Sequence, residues 1–521
     1  MKTEGRSTSP APANMNERKT VSGSQALNQA TALIFETGTP RRTGIDFSKA
    51  KGIKSRLGGH DRKGEIGLPG LSEPETLRHY VRLSQKNYAI DLGVYPLGSC
   101  TMKHNPRLNE KVSRMPGFAD VHPLQPIQTA QGALEVMHVL SHWLMTLCNM
   151  PAVALTPKAG AHGELCGMMA IRARLDHDGA SHKRRVLVPE SAHGTNPATA
   201  VQCGFSVDEI PANAGGRVDM DALRAKLDGL DKTSDIAGIM LTNPNTCGLF
   251  ETDIIEIAEL IHAAGGYFYC DGANFNALVG RVRPGDLGVD AMHINLHKTF
   301  STPHGGGGPG SGPTVLSDAL KDHAPVPYVI KTKDGFDLVE DPDEKSFGRM
   351  CAFHGNMGMY TRALSYMMSH GSDGLKQATE DAVLNANYVQ ASLSDVMTTA
   401  FEGTCMHEAL FDDRFLKDTG VETLDFAKAM IDEGYHPMTM YFPLVVHGAM
   451  LIEPTESESK GELDRFIQSM RSLATRAKDG DVESFKQAPV YAPMRRLDET
   501  QAARNPVLRW TPPSDLADAA E

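Results

Sequence analysis

Between about residue 150 and residue 313 the sequence alternates two textures. Short apolar runs, rich in β-branched and aromatic residues, give way to stretches whose apolar residues recur at helical spacing. The runs at 185–189, 236–241, 266–270 and 289–294 read as strands. Between the second and third, Ile254, Ile257, Ala258 and Ile261 line one face of a helix over 253–264. Strand, helix, strand at this spacing predicts βαβ units and a mostly parallel sheet, an α/β fold. Ligands in such sheets sit beyond the carboxyl ends of the strands, and here those ends carry the polar residues.

Around this block the text changes. Residues 1 to about 24 are rich in Ser, Pro, Ala, Thr and Asn and predict a disordered tail. Glu4 and Glu17 argue against a mitochondrial transit peptide. The stretch 131–150 carries Leu134, Met137, Val139, Leu140, Trp143 and Leu144 near helical spacing. Glu135, His138 and His142 interrupt it, which predicts a core helix and no membrane span. After about residue 360 the pattern turns helix-rich, and Gly434-Tyr435-His436-Pro437 leads into an apolar run at 438–446. We therefore expect a tail over 1–40, an N-terminal arm and helical segment over 41–125, a large domain over 126–365, and a smaller C-terminal α+β domain over 366–521.

A net charge of −12 argues against nucleic acid or an anionic membrane as the main partner. The eight cysteines form no C-x-x-C pair, so no zinc ribbon or thioredoxin-like site is indicated. Few cysteines in a long chain without a secretory signal fit a reducing, cytoplasmic setting.

Four strand ends carry the chemistry. Lys298 follows the run at 289–294 and precedes a glycine-rich loop with Gly305–Gly308, Gly310 and Gly312. A partly desolvated lysine can lose its proton and form a Schiff base with an aldehyde. Asp271 ends the run at 266–270 and lies 27 residues before Lys298. A carboxylate there can keep a pyridine nitrogen protonated, making the ring an electron sink; taken alone, it reads equally as a helix cap. His193 follows the run at 185–189 and can stack on a cofactor ring or be an ordinary loop histidine. Ala161, His162 and Gly163 open a helix, where free backbone N–H groups can hold a phosphate. Thr242 or Asn243 can bond a ring hydroxyl, with a plain turn as the alternative. The glycine-rich loop lacks the P-loop pattern; it brings backbone close to a ligand or forms a mobile lip. His162, His193, His293, His297 and His304 form no H-E-x-x-H pair, so metal catalysis is not expected. Phosphate loop, His193, Asp271 and Lys298, in that order at strand ends, point to pyridoxal phosphate.

Several stretches resemble the P-protein family of the glycine cleavage system, and within it the second subunit of the two-subunit bacterial form. They are Tyr95-Pro96-Leu97-Gly98-Ser99-Cys100-Thr101-Met102-Lys103, residues 159–164, 191–197, Cys270-Asp271-Gly272-Ala273-Asn274, and 295–313. Met406-His407-Glu408, Glu453-Pro454-Thr455-Glu456 and Arg495-Arg496-Leu497-Asp498-Glu499 add to these. The resemblance covers about residues 40–498. It departs at His162, where the fused enzymes carry an amide residue, and is approximate over 351–357. It implies the large domain of a fold type I, aspartate-aminotransferase-like pyridoxal phosphate enzyme. Lys298 would carry the cofactor, Asp271 would face its ring nitrogen and His193 its ring. Residues 161–163 would hold phosphate, and Thr242, Asn243, Asn295 and His297 would join the binding site. The implied reaction decarboxylates glycine and passes an aminomethyl group to the lipoyl arm of H-protein. Implied partners are glycine dehydrogenase subunit 1, with two copies of each subunit, and lipoylated H-protein. Tyr95, Lys103 and His104 are expected near a lipoyl channel. Asn295-Leu296-His297-Lys298 also resembles the Asn-x-His-Lys of amino-acid decarboxylases, which keeps a simple decarboxylase or aminotransferase as the rival reading. A non-catalytic assembly subunit is the other.

Overall fold

The computed structural model describes residues 31–39, 42–44, 48, 52, 54–64, 66–305, 310–492 and 494–511. The tail expected over residues 1 to about 24 lies outside the described residues, as do residues 306–309 of the glycine-rich loop. Two compact units emerge, one drawn from Met1–Leu92 and Lys486–Glu521, the other from Gly93–Phe485. In the first, the helix Glu73–Ser84 opens with Ser72, whose backbone N–H and hydroxyl both donate to Glu75, a reciprocal cap that satisfies the helix start.

The second unit is built on a seven-stranded sheet. Its strands are β1 (Ala152–Ala154), β2 (Arg185–Pro189), β3 (Ser206–Ile210), β4 (Ile236–Thr242), β5 (Tyr267–Gly272), β6 (Ala291–Ile294) and β7 (Thr314–Leu316). The order is β1-β7-β6-β5-β4-β2-β3. From β3 to β6 every pairing is parallel, and β7 runs antiparallel between β6 and β1. The sheet is thus mostly parallel, as the alternation in sequence predicts.

Helices cover both faces, which is why β4 is buried along its whole length and reads as an unbroken apolar run. Helices α1 (Gln131–Cys148), α2 (Gly160–His177), α3 (Thr195–Gln202), α4 (Ile254–Ala263) and α5 (Met357–Leu393) do most of this. On one face Leu134, Met137, Leu140 and Leu144 of α1, Ile254, Ile257 and Ile261 of α4, and Tyr360, Ala363 and Met367 of α5 pack against Ile239, Leu241, Phe268, Cys270, Met292 and Ile294. On the other, Met168, Ile171 and Leu175 of α2 and Ala200 of α3 pack against Met240, Tyr269 and Ala291. Strand residues alternate between faces. Asp271, two beyond Tyr269, and His293, two beyond Ala291, therefore belong to the α2 face. Val139 and Trp143, expected in the core with the rest of α1, are only half-buried.

Beyond the sheet, α5 runs for 37 residues with a break in helical geometry at Gly371 (φ 64°, ψ −175°). A four-stranded antiparallel sheet follows, β8 (Thr398–Thr399), β9 (Ala409–Asp412), β11 (Met450–Ile452) and β10 (Thr439–Met440) in that order. With it come α6 (Thr423–Asp432) and α7 (Lys460–Lys478). This is the smaller α+β assembly expected near the C-terminus. The apolar run at 438–446 contributes only the two residues of β10: Tyr441 turns to φ 57° and Pro443 follows, so the ladder cannot continue.

Candidate active site

Lys298 sits in a single helical turn, Leu296–Thr299, entered directly from β6 through Asn295. The turn leaves the lysine 8% exposed. Its Nζ donates to the Ser99 carbonyl at 2.7 Å, so the buried ammonium is hydrogen-bonded where an unpaired one would be costly.

Ser99 belongs to a segment laid along the small sheet. Leu97 bridges to Ile452 and the Gly98 N–H donates to the Leu451 carbonyl at 3.2 Å. Ser99 and Thr101 both adopt left-handed backbone, φ 60° and 36°. Such conformations cost about 1–3 kcal/mol each and persist only when the surroundings enforce them. Two wholly buried carboxylates do so. Glu408 Oε2 accepts the Ser99 N–H at 2.8 Å, and Glu453 accepts the Thr101 N–H at 3.0 Å and the Thr101 hydroxyl at 2.5 Å. Asn276 Nδ2 also donates to Glu453, at 3.2 Å. Burial first, and the Glu453 charge second, push Glu408 well above the ordinary carboxylate range. His407 stands 3.9 Å from both carboxylates, and neither ring nitrogen has a hydrogen-bond partner.

Asp271 is the penultimate residue of β5, on the α2 face and 4% exposed. Its Oδ1 accepts the Ala273 N–H at 2.9 Å. In the orientation that suits its surroundings, the Asn196 amide nitrogen donates to Asp271 Oδ2 at 3.1 Å and to Glu164 Oε1 at 2.8 Å. Glu164, on α2, also meets the Thr199 hydroxyl at 3.1 Å. Burial, and then the charge of Asp271, raise the Glu164 pKa. His293 Nε2 lies 3.6 Å from Asp271 Oδ1, and its Nδ1 is 2.6 Å from the Tyr269 hydroxyl. Burial keeps this imidazole below its usual pKa.

The other expected residues gather less tightly. His193 is exposed, edge-on to Phe442 with ring centroids 5.6 Å apart, and its Nδ1 accepts the Thr195 N–H at 3.2 Å. Helix α2 starts at Gly160, so the N–H groups of Ala161 and His162 lie in its first turn and lack acceptors within the helix. The Gly163 N–H already donates to the Ala159 carbonyl at 2.9 Å. A Cβ at Gly163 would stand 2.5 Å from the Gly312 carbonyl oxygen, so the glycine's contribution is close packing. The His162 ring folds back to accept the Lys158 N–H at 3.1 Å. His297 stands T-shaped to His304 at 4.7 Å, and burial first, then His304, lower it to about 3. Tyr95 stacks on His436 at 4.3 Å. Lys103 is buried, bound to Glu456 at 2.6 Å and to the Thr299 carbonyl at 2.9 Å. With His104 it lines a cleft of about 350 Å³ that also includes Ser301, Tyr366 and His370.

Thr242 Oγ1, Asn243 Nδ2 and Asn295 Oδ1 are buried without a hydrogen-bond partner. Thr242 pairs in register with Asp271. Buried polar atoms are normally satisfied, so a group of orphans beside a strand-end lysine and carboxylate suits a polar, planar, anionic ligand such as pyridoxal phosphate. Reading motifs at strand ends missed Glu164 and Asn196, although both lie inside stretches that carry the family resemblance. Ser99, Glu408 and Glu453 lie in such stretches too, without a local cue to their roles.

Comparisons with known proteins bear on the family and the fold. Residues 378–493 match the family described as glycine dehydrogenase, C-terminal domain, and residues 164–307 match aminotransferase class-V. A protein of Caulobacter vibrioides named "Probable glycine dehydrogenase (decarboxylating) subunit 2" is 66% identical over 529 residues, covering 100% of both chains. A protein of the same name from Kosmotoga olearia is 49% identical, covering 92% of this chain and 99% of its own. Among solved structures, an inhibitor-bound glycine decarboxylase (P-protein) of the glycine cleavage system superposes with a TM-score of 0.67 at 20% identity, covering 80% of this chain and 93% of its own. A glutamate decarboxylase of Lactobacillus brevis superposes with a TM-score of 0.60 at 13% identity, covering 80% of this chain and 96% of its own. These two share the fold. The near-complete match at 66% identity decides the family: this chain belongs to the glycine dehydrogenase (decarboxylating) subunit 2 family.

Proposed function

We propose that this chain is the pyridoxal phosphate-bearing subunit of a glycine decarboxylase, working with glycine dehydrogenase subunit 1 and lipoylated H-protein. The observation that carries the reading is the buried Lys298 beyond β6, beside a parallel strand that carries the buried Asp271 one residue before its end. Lys298 would hold the cofactor covalently, Asp271 its ring nitrogen and His193 its ring face. The first-turn N–H groups of Ala161 and His162 would hold its phosphate, with Gly163 letting that turn approach the sheet. Thr242, Asn243, Asn295 and His297 would meet its remaining polar edges. When bound, the cofactor supplies an electron-accepting ring for the pair released as CO2 departs.

The chain's own residues then have defined tasks. Whenever its amine is free, Lys298 would be held by the Ser99 carbonyl. Asp271 keeps a proton at the ring nitrogen through its negative charge. The burial of Lys298 and Asp271 would keep water from their part of the site. The cleft lined by Lys103 and His104 offers a route for a long arm; in it the Lys103–Glu456 pair serves as a wall. Two copies of each subunit, and a cytoplasmic setting, complete the proposal. The cysteines are all unpaired, as a reducing compartment requires. Among the described residues no helix is long and apolar enough to cross a membrane.

The test loads the full chain with pyridoxal phosphate and follows its visible absorbance, with Lys298→Ala in parallel. Release of CO2 from glycine is then assayed with both partners present. The reading expects a lysine-bound band lost in the mutant and turnover only in the complete mixture. A band without glycine turnover would redirect the proposal to another amino acid; no band would end it.

A further inference from the structure

Asp271 does not stand alone behind the proposed cofactor. Asn196, from the first turn of α3, presents one amide nitrogen to two buried carboxylates, 3.1 Å to Asp271 Oδ2 and 2.8 Å to Glu164 Oε1. Two ionised carboxylates so close to one donor, both largely out of water, repel strongly. A single proton resolves the conflict. On Glu164 Oε2 it meets the Thr199 hydroxyl, 3.1 Å away, which can accept as well as donate. Glu164 Oε1 is then left to accept from Asn196, and the second N–H of that amide is free for Asp271. On Asp271 the proton would be worse placed: Oδ1 already accepts the Ala273 N–H, Oδ2 faces an amide nitrogen that only donates, and the proton would have to turn to Glu164 itself.

We propose that Glu164 is a proton-holding positioning residue: as a neutral acid it fixes the Asn196 amide, and Asn196 fixes Asp271 against the cofactor's ring nitrogen. This rests on the cofactor reading above and adds to it a residue pair that touches neither cofactor nor substrate. Burial and the charge of Asp271, which raise the Glu164 pKa, act in the same direction. His293, at 3.6 Å from the other oxygen of Asp271 and held by Tyr269, limits tilting on the opposite edge.

The experiment has two readouts on the full chain. Thermal midpoints of the cofactor-free wild type and Glu164→Gln are compared from pH 5 to pH 8. An unfolded glutamate loses its proton near its ordinary pKa while the folded one keeps it. At this site the native protein therefore keeps a proton that the unfolded chain has lost, and the contribution of Glu164 to wild-type stability falls with rising pH. Gln cannot ionise, so the midpoint of Glu164→Gln minus that of wild type should grow as pH rises. A constant difference would overturn the proposal. Pyridoxal phosphate affinity is then measured by absorbance titration for Glu164→Gln, Glu164→Ala and Asn196→Ala. Gln should stay within about 2-fold of wild type. Both Ala variants should weaken binding roughly 10-fold, the scale of one lost hydrogen bond to a charged group. Equal losses for Gln and Ala would mean that the Glu164 charge is what matters, and would overturn the proposal. If wild type binds no cofactor while the midpoint difference still grows with pH, the cofactor reading fails and the proton on Glu164 stands.

Discussion

Two pairs of buried carboxylates lie within electrostatic reach of Lys298, and they are satisfied in different ways. Glu164 and Asp271 share the amide of Asn196, a side chain that can rotate. Glu408 and Glu453 bind the main chain at Ser99 and Thr101, where the backbone is left-handed. The first pair sets the direction of one carboxylate; the second sets the course of a loop. Losing a member of the first leaves a side chain that can relax. Losing a member of the second strands backbone N–H groups, which cannot turn away without unmaking the loop.

The largest test of that contrast is Glu453→Ala. It strips acceptors from the Thr101 N–H, the Thr101 hydroxyl and Asn276 at once, and should cost about 3–5 kcal/mol in urea denaturation. A loss below about 1 kcal/mol would erase the distinction between the pairs. Next comes Gly98→Ala, where a Cβ would sit 2.4 Å from Leu451 Cγ and 2.7 Å from the Leu451 carbonyl oxygen. Pushing the loop off the small sheet should cost about 1–3 kcal/mol and change the solvent exposure of Lys298, readable by lysine-directed labelling. Asn196→Ala should cost only about 1 kcal/mol in the same denaturation; a loss matching that of Glu453→Ala would make the two pairs equivalent. The last test is the pH dependence that His297 confers. Its pKa is lowered from 6.5 to about 3, so between those values the unfolded chain binds a proton that the folded chain refuses. Stability should therefore fall as pH drops below 6.5, and His297→Gln should flatten that slope.

The sequence makes one half of this comparison far more legible than the other. Asp271 and Lys298 stand at strand ends, and strand ends announce themselves through the change from apolar runs to polar turns. Glu164 and Asn196 are close at hand in the text, within the stretches that resemble the family, yet nothing local says that they face one another. Ser99 meets Glu408 across 309 residues, and Thr101 meets Glu453 across 352. No periodicity encodes contacts of that range; they exist because the small sheet is laid against Leu97 and Gly98. Lys103 stands between the two: its motif suggests a channel residue, and the structure places it in the wall of a cleft with its charge matched by Glu456, a pairing across 353 residues that no local pattern announces. The seven-stranded sheet follows from alternation, but a compact unit drawn from both ends of the chain leaves no local trace.

The Ser99 carbonyl has a consequence of its own. It holds the Lys298 amine only while that amine is not otherwise engaged, so whatever engages the lysine also dissolves the hydrogen bond that joins it to the small sheet. Thermodynamic reciprocity then applies. A partner that binds the small sheet and, by moving Ser99, changes the affinity of Lys298 for what engages it has its own affinity changed by the same factor when the lysine is engaged. A complex could thereby sense whether its lysine is occupied, with one carbonyl oxygen as the point of exchange.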